Sequence, residues 1–400
     1  MLLMANSPWP RRPRMTSRRP RAAKKTPVAA PEEIMTSPLE QLAQYGQSVW
    51  IDYLSRDLLR SGALTRAIEQ DGVVGVTSNP TIFAKALTDT DAYDEQLADL
   101  WTSPRNVKDV FLQLATRDVE RACDLLLPTW HASESLDGYV SIEVDPRLAY
   151  DSQATIREAT LLHAAVTRPN LLVKIPATKE GLVAIEEMTA RGKSINITLI
   201  FSLDRYAEVV EAFLSGLERL IEQGGDCSAV TSVASFFVSR VDTETDKRLD
   251  ALGAPESLKG RLAIANAKLA YAYYKVAFSG RRWEALANAG ARTQRPLWAS
   301  TSVKNRRYRD TRYVEELIGP ETISTMPEET IRAFQDHGRV AATLGRDVDD
   351  ARDLFTKMAR VGVDYDDVVS SLEAEGVAKF VHSFGKLLRR VEAKSEGRAA

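Results

Sequence analysis

Several common signatures are missing from this 400-residue chain. No apolar run reaches the roughly 18–20 residues needed to cross a bilayer, so no segment reads as a membrane-spanning helix. Cysteine is nearly absent: Cys123 and Cys227 stand far apart and in no ligand-type spacing, so neither a disulfide framework nor a zinc motif is expected. The four histidines, His131, His163, His337 and His382, form no HExxH-like cluster. No GxGxxG opens a helix after a strand, which removes the main support for a dinucleotide fold. What is present is ordinary for a globular protein with a large core, at 44% hydrophobic and 27% charged residues. A reducing, cytoplasmic setting is the expectation.

Acidic side chains are also missing from residues 1–31, which hold eight basic ones (Arg11, Arg12, Arg14, Arg18, Arg19, Arg21, Lys24, Lys25) and six prolines. The whole chain carries −2, so setting these eight aside leaves −10 for the remainder. Such a segment lacks the apolar content to fold, and residues 1–36 are expected to be a disordered basic extension. An organellar leader would be Arg-rich but also richer in serine. A nucleic-acid or membrane arm is an alternative. Met35 opens "MTSPLEQLAQYGQSVWIDYL", which reads as a domain start and makes the preceding segment a dispensable tail. A polar "VEAKSEGRAA" at 391–400 is expected to fray.

Between these ends, short β-branched or apolar runs alternate with segments of helical periodicity. Strands are expected at 48–54, 72–78, 139–145, 170–176, 195–201, 233–239, 295–301 and 321–326. Helical patterns include 180–192, 204–225 and 258–279. The 60 positions separating Asn79 from Tyr139 are long for one helix and must hold two or three. Alternating strand and helix implies a parallel sheet. Eight units indicate a single (β/α)8 TIM barrel with extra helices over 37–395.

"NLLVKIPAT" (170–178) carries one lysine in an apolar run. Side chains alternate along a strand. Leu171, Val173 and Ile175 therefore face the helices, while Leu172 and Lys174 face the barrel interior. An ammonium group there is costly, so burial favours the free amine, which attacks carbonyls to form a Schiff base. The same alternation turns other polar groups inward: Ser141, Glu143 and Asp145 in "YVSIEVD", Asn196 and Thr198 in "INITLIF" (opposite Ile195, Ile197, Leu199 and Phe201), and Ser235 in "ASFFVSR". Asp52 sits opposite Ile51, Thr77 and Asn79 fall together at a strand end, Arg240 follows a strand, and Ser302 shares a phase with Lys304. Most lie in the C-terminal halves of their strands, where barrel active sites gather. Singly, each has a structural alternative: Glu143 as the ion-pair partner of Lys174, Asp52 as a cap, Asn196 and Thr198 as rim groups. Arg240 has the alternative of pairing with Asp242 or Glu244, and Lys304 of lying in a solvated basic stretch.

These stretches resemble the transaldolases. "GVTSNPTIF" (75–83) and "NLLVKIPAT" match the two family signatures. "IEVDPRLAYD" (142–151), "INITLIFS" (195–202), "SFFVSRVD" (235–242) and "STSVKN" (300–305) match further blocks in order, and the likeness runs from about residue 40 to about 385. "WAST" and "TMPE" resemble the larger bacterial form. The resemblance implies a Schiff-base transferase without metal or cofactor, in which Lys174 is the nucleophile. Glu143 and Thr198 would handle protons through a water, and Asp52 would be the base for carbon–carbon cleavage. Asn79, Asn196 and Ser235 would hold the three-carbon fragment, while Arg240, Ser302 and Lys304 would bind phosphate. It further implies phosphorylated sugars of the non-oxidative pentose phosphate pathway as substrates, and neither nucleic acid nor membrane as partner. Monomer and homodimer stay open.

Three departures are visible. Lys304 stands where smaller forms carry arginine, Ser78 replaces a common threonine, and the interval from Asp52 to Asn79 is longer. Residues 1–35 have no family counterpart. The alternatives are a fructose 6-phosphate aldolase, which carries tyrosine at the position of Phe237, and a catalytically idle barrel presenting the basic arm to nucleic acid. A PLP enzyme ranks third, for want of a phosphate-cradle loop.

Overall fold

The structure is a computed structural model and describes residues 37–101 and 106–396. The extension expected over 1–36 and the last four positions lie outside the described residues. Eight strands follow one another: β1 Gln47–Ile51, β2 Val73–Val76, β3 Tyr139–Glu143, β4 Leu171–Pro176, β5 Ile195–Ile200, β6 Ser232–Phe237, β7 Arg295–Ala299 and β8 Thr322–Met326. Each pairs in parallel with the next, and β8 pairs with β1 to close the barrel. Parallel neighbours need a crossover, which the intervening helices provide. Among the described residues, the interval after Asn79 contains three of them, Pro80–Asp89, Asp94–Leu100 and Val107–Ala132. The outward strand faces form one apolar layer with the helices; Val173, Ile175, Ile195 and Ile197 are all fully buried.

The N-terminal end of the barrel interior is plugged. Trp50 lies across it because β2 has a glycine opposite: a Cβ on Gly75 would fall 2.4 Å from the Trp50 ring. Beside it Arg295 donates to Asp137 Oδ1 at 3.1 Å, Leu136 O at 3.0 Å, Ser48 Oγ at 2.5 Å and Thr322 O at 3.1 Å. This buried charge is paired and hydrogen-bonded, as its burial requires. Polar side chains therefore occupy both ends of the barrel, and only the opposite end carries Lys174.

Two expectations change. Alternation along β5 holds only to Thr198. Leu199 adopts a left-handed φ of 61°, and the pairing with β6 slips between Ile197 and Ile200. Such a conformation costs a non-glycine residue about 1–3 kcal/mol, and a bulge re-aims the chain that follows it. Phe201 accordingly packs against Phe237, ring centroids 5.1 Å apart. Both Leu199 and Phe201 lie under Gly376, where an added Cβ would be 3.1 Å and 3.4 Å from them. The helix that carries Gly376 is the second change. It runs from Tyr365 to Glu396, so residues 391–396 continue it rather than fray. Lys394 Nζ donates to Thr90 O at 2.6 Å and pairs with Asp94 at 3.2 Å, and Ser395 is buried. Tertiary anchors replace the apolar content that the sequence of this last stretch lacks.

Candidate active site

Strand register brings the reactive side chains to one level. Glu143 on β3 is opposite Lys174 on β4, and Lys174 is opposite Asn196 on β5. The Lys174 and Glu143 side chains are 6% and 4% exposed, with Nζ 3.9 Å from Oε2. Lys174 Nζ also donates to Ser78 O at 3.3 Å, just past β2. Across the interior, Asn196 Nδ2 donates to Ser141 Oγ at 3.0 Å and Ser235 Oγ donates to Asn196 Oδ1 at 2.7 Å. This chain of polar groups crosses β3, β5 and β6 and fixes the Asn196 amide in one orientation.

Two buried atoms near Lys174 have no hydrogen-bond partner among the described residues: Glu143 Oε2 and Thr198 Oγ1. They flank Lys174 on the strands either side of β4, and an orphaned buried polar atom is costly unless a ligand or solvent molecule uses it. Burial pushes the Glu143 carboxyl up to about 7; Asp52 adds to that rise, while Lys174 and Arg240 oppose it. A carboxyl poised there can both give and take a proton at neutral pH. Asp52 follows β1, and Thr77 Oγ1 donates to its Oδ1 at 2.7 Å. Burial raises Asp52 as well, opposed by Lys174, by the Thr77 hydrogen bond and by Arg240. Two carboxyls in different surroundings thus face one lysine.

Arg240 lies in the first turn of the helix Ser239–Ala251, which follows β6. Its guanidinium sits 5.1 Å from the Phe237 ring and 5.9 Å from Phe380 on the C-terminal helix, and its buried Nη1 has no partner. Burial lowers its pKa, against the pull of Asp52 and Glu143. It does not pair with Asp242 or Glu244, because those are otherwise engaged. Asp242 accepts from Ala263 N at 2.8 Å and Tyr313 OH at 2.9 Å, and Glu244 holds Arg248. Asp246 likewise accepts from Gly260 N at 2.7 Å and Tyr308 OH at 2.5 Å. Tyr308 and Tyr313 follow the loop that carries Ser302 and Lys304, so these bonds tie that loop to the Arg240 helix.

Other assigned residues are placed differently. Asn79 caps the helix Pro80–Asp89, its Oδ1 accepting from Thr81 N and Ile82 N, so only its amide N–H groups are left for a ligand. Lys304 Nζ donates to Ser302 Oγ at 2.5 Å, joining the two to each other in an exposed loop. Asp145 turns away from Lys174: it holds Arg147 and, at 3.0 Å, Lys108. Alternation assigned it to the interior because that rule ignores the short helical turn Pro146–Leu148, which the Asp145 side chain caps. Reading by strands also missed the Ser78 carbonyl, which has no side-chain signal, and Phe380, which comes from a helix more than 200 positions beyond Lys174. Thr325 carried the same signal as the others, a polar residue near a strand end, and was not singled out.

A family model described as Transaldolase/Fructose-6-phosphate aldolase matches residues 49–391. A transaldolase of Frankia alni is 53% identical over 357 residues, covering 88% of this chain and 96% of that protein. A transaldolase of Thermobifida fusca is 53% identical over 360 residues, covering 89% and 98%. "Transaldolase 2" of Streptomyces avermitilis is 50% identical over 363 residues, covering 90% and 98%. Similarity of this extent, over a barrel whose buried lysine faces two carboxyls, means that the chain belongs to the transaldolase/fructose-6-phosphate aldolase family.

Proposed function

We propose that this enzyme, a transferase of the transaldolase type, moves a dihydroxyacetone unit between phosphorylated sugars through a Schiff base on Lys174. The observation that carries this reading is the Lys174 amine, buried 3.9 Å from Glu143 and, among the described residues, without any closer ion pair. The donors are sedoheptulose 7-phosphate and fructose 6-phosphate; the acceptors are glyceraldehyde 3-phosphate and erythrose 4-phosphate.

Lys174 attacks the ketone carbon to give a carbinolamine. Glu143 and Thr198, each with an unused buried oxygen, hold a water that carries the proton to the departing hydroxyl, leaving a protonated imine. Asp52 takes the proton of the C4 hydroxyl. The C3–C4 bond then breaks, its electron pair entering the imine to form an enamine, and an aldose phosphate leaves. The enamine attacks the incoming aldehyde, and hydrolysis frees Lys174. Asn79, Asn196 and Ser235 hold the three-carbon fragment. Arg240, Ser302 and Lys304 bind phosphate, with Lys304 acting as a point charge rather than a bidentate fork.

Transfer and simple aldol cleavage separate in one assay. Fructose 6-phosphate with erythrose 4-phosphate should yield sedoheptulose 7-phosphate and glyceraldehyde 3-phosphate at steady state. Without acceptor, each site should release only about one glyceraldehyde 3-phosphate and retain the dihydroxyacetone unit. Continuous release of free dihydroxyacetone would make the protein an aldolase.

The position of Glu143 sets a pH dependence. Its acid form drives dehydration of the carbinolamine, so single-turnover imine formation should decline as pH rises through about 7, where that form is lost. Glu143→Gln should slow the step by about 10²–10⁴-fold and remove this ionisation. A decline that survives in Glu143→Gln belongs to another group.

A further inference from the structure

Asp52 must be ionised to act as a base, and a carboxylate only accepts hydrogen bonds. The short contact to Thr77, 2.7 Å from Oγ1 to Asp52 Oδ1, therefore uses the single proton of the Thr77 hydroxyl. Thr77 Oγ1 has a second contact of 2.7 Å, to Thr325 Oγ1 on β8. With the Thr77 proton committed, that bond can form only if Thr325 is its donor. Thr325 is itself held, because Thr301 Oγ1 donates to its carbonyl oxygen at 2.8 Å. Thr77, Thr301 and Thr325 are 2%, 0% and 3% exposed, so bulk water does not compete for the bonds that join the three threonines. The same strand also fixes the backbone, since Asp52 N donates to Met326 O at 2.8 Å.

We propose that Thr325 is a positioning residue for the base of the reaction: its hydroxyl donates to Thr77, which in turn donates to Asp52, so that β8 aims the carboxylate and keeps it charged. The inference rests on the assignment of Asp52 as the base for carbon–carbon cleavage.

The relay opposes a strong tendency. Asp52 is half-buried, and the loss of solvent around its carboxyl favours the neutral form, as does Glu329 on the helix after β8. Against these stand Lys174 from β4, Arg240 from the helix after β6, and the Thr77 hydroxyl. The Lys174 nitrogen changes charge during turnover: it is cationic in the protonated imine and neutral once the enamine forms. The hydroxyl relay is independent of that chemistry, so it supports the carboxylate in every intermediate. A hydroxyl that receives a hydrogen bond is a better donor in turn, which gives the outer threonine its effect on a group it does not touch.

The test is the pH profile of cleavage in Thr325→Val, which keeps the shape and loses the donor. Activity that requires the Asp52 carboxylate falls as pH drops through its pKa. Losing support for the charged form raises that pKa, so the acid limb of kcat for transfer should move up by about one pH unit. Borohydride trapping of the imine should keep its wild-type rate, and Thr325→Ser should restore the profile. If Thr325→Val does not fold, Thr325→Ala should show the same displaced limb.

A variant that lowers kcat equally at every pH, or a Thr325→Ser that fails to rescue, would overturn the relay. The underlying assignment fails separately: Asp52→Asn retaining wild-type cleavage would remove Asp52 as the base whatever Thr325 does.

Discussion

Lys174→Met should abolish transfer while leaving the barrel folded. The covalent route has no substitute, so the loss is bounded only by the total acceleration, about 10⁶-fold or more for enzymes in general. Borohydride with fructose 6-phosphate should fix a three-carbon adduct on wild-type Lys174 and nothing on the variant, read by mass spectrometry of the peptide containing residues 170–178. Stability should hold or rise. The Lys174 side chain buries a polar head among apolar neighbours, a desolvation cost that methionine, of similar length, does not carry. Its neighbour Glu143 is not left as an uncompensated charge, because a carboxyl already raised to about 7 goes neutral readily. The Tm of Lys174→Met should therefore equal or exceed that of the wild type. An adduct mapped to Lys304 or to any lysine other than Lys174 would sink the assignment.

Asp52→Asn should separate two steps that Lys174→Met removes together. Asparagine keeps the shape and still accepts the Thr77 hydrogen bond, but it cannot take the C4 hydroxyl proton. Losing a positioned base costs about 10²–10⁴-fold, and here that falls on cleavage rather than on imine formation. The trapped species should change accordingly. The wild type is trapped with three carbons, whereas Asp52→Asn should hold the intact six-carbon donor with its phosphate. The two adducts differ in mass by the whole aldose phosphate, so one spectrum distinguishes them. An equal fall in imine formation and cleavage would contradict the separate role of Asp52.

The strands were legible because alternation has a period of two and needs only neighbouring residues. Lys174 was legible for the same reason: one cation in "NLLVKIP" has no other explanation as economical as an interior position. Glu143, Asn196 and Ser235 followed from the same rule, and the structure places them around Lys174 with bonds running across the barrel. The rule failed where the backbone leaves the regular strand. Asp145 lies past the end of β3 and turns to Lys108 and Arg147. Leu199 has a left-handed φ, after which the sides of β5 exchange. Residues 391–396 looked too polar to be ordered, yet Lys394 and Ser395 are anchored by groups about 300 and four positions away.

Sequence alone determined which side chains could enter the barrel and that one of them was an amine among apolar neighbours, because both facts are local. The tertiary structure decided which of them meet. Closure of β8 on β1 brings Thr325 to Thr77, 248 positions apart, and register sets Glu143, Lys174 and Asn196 at one height. Depth sets the state of the carboxyl, since burial pushes Glu143 from the usual carboxylate range up to about 7. Register and burial belong to the closed ring of eight strands, and no single strand carries them.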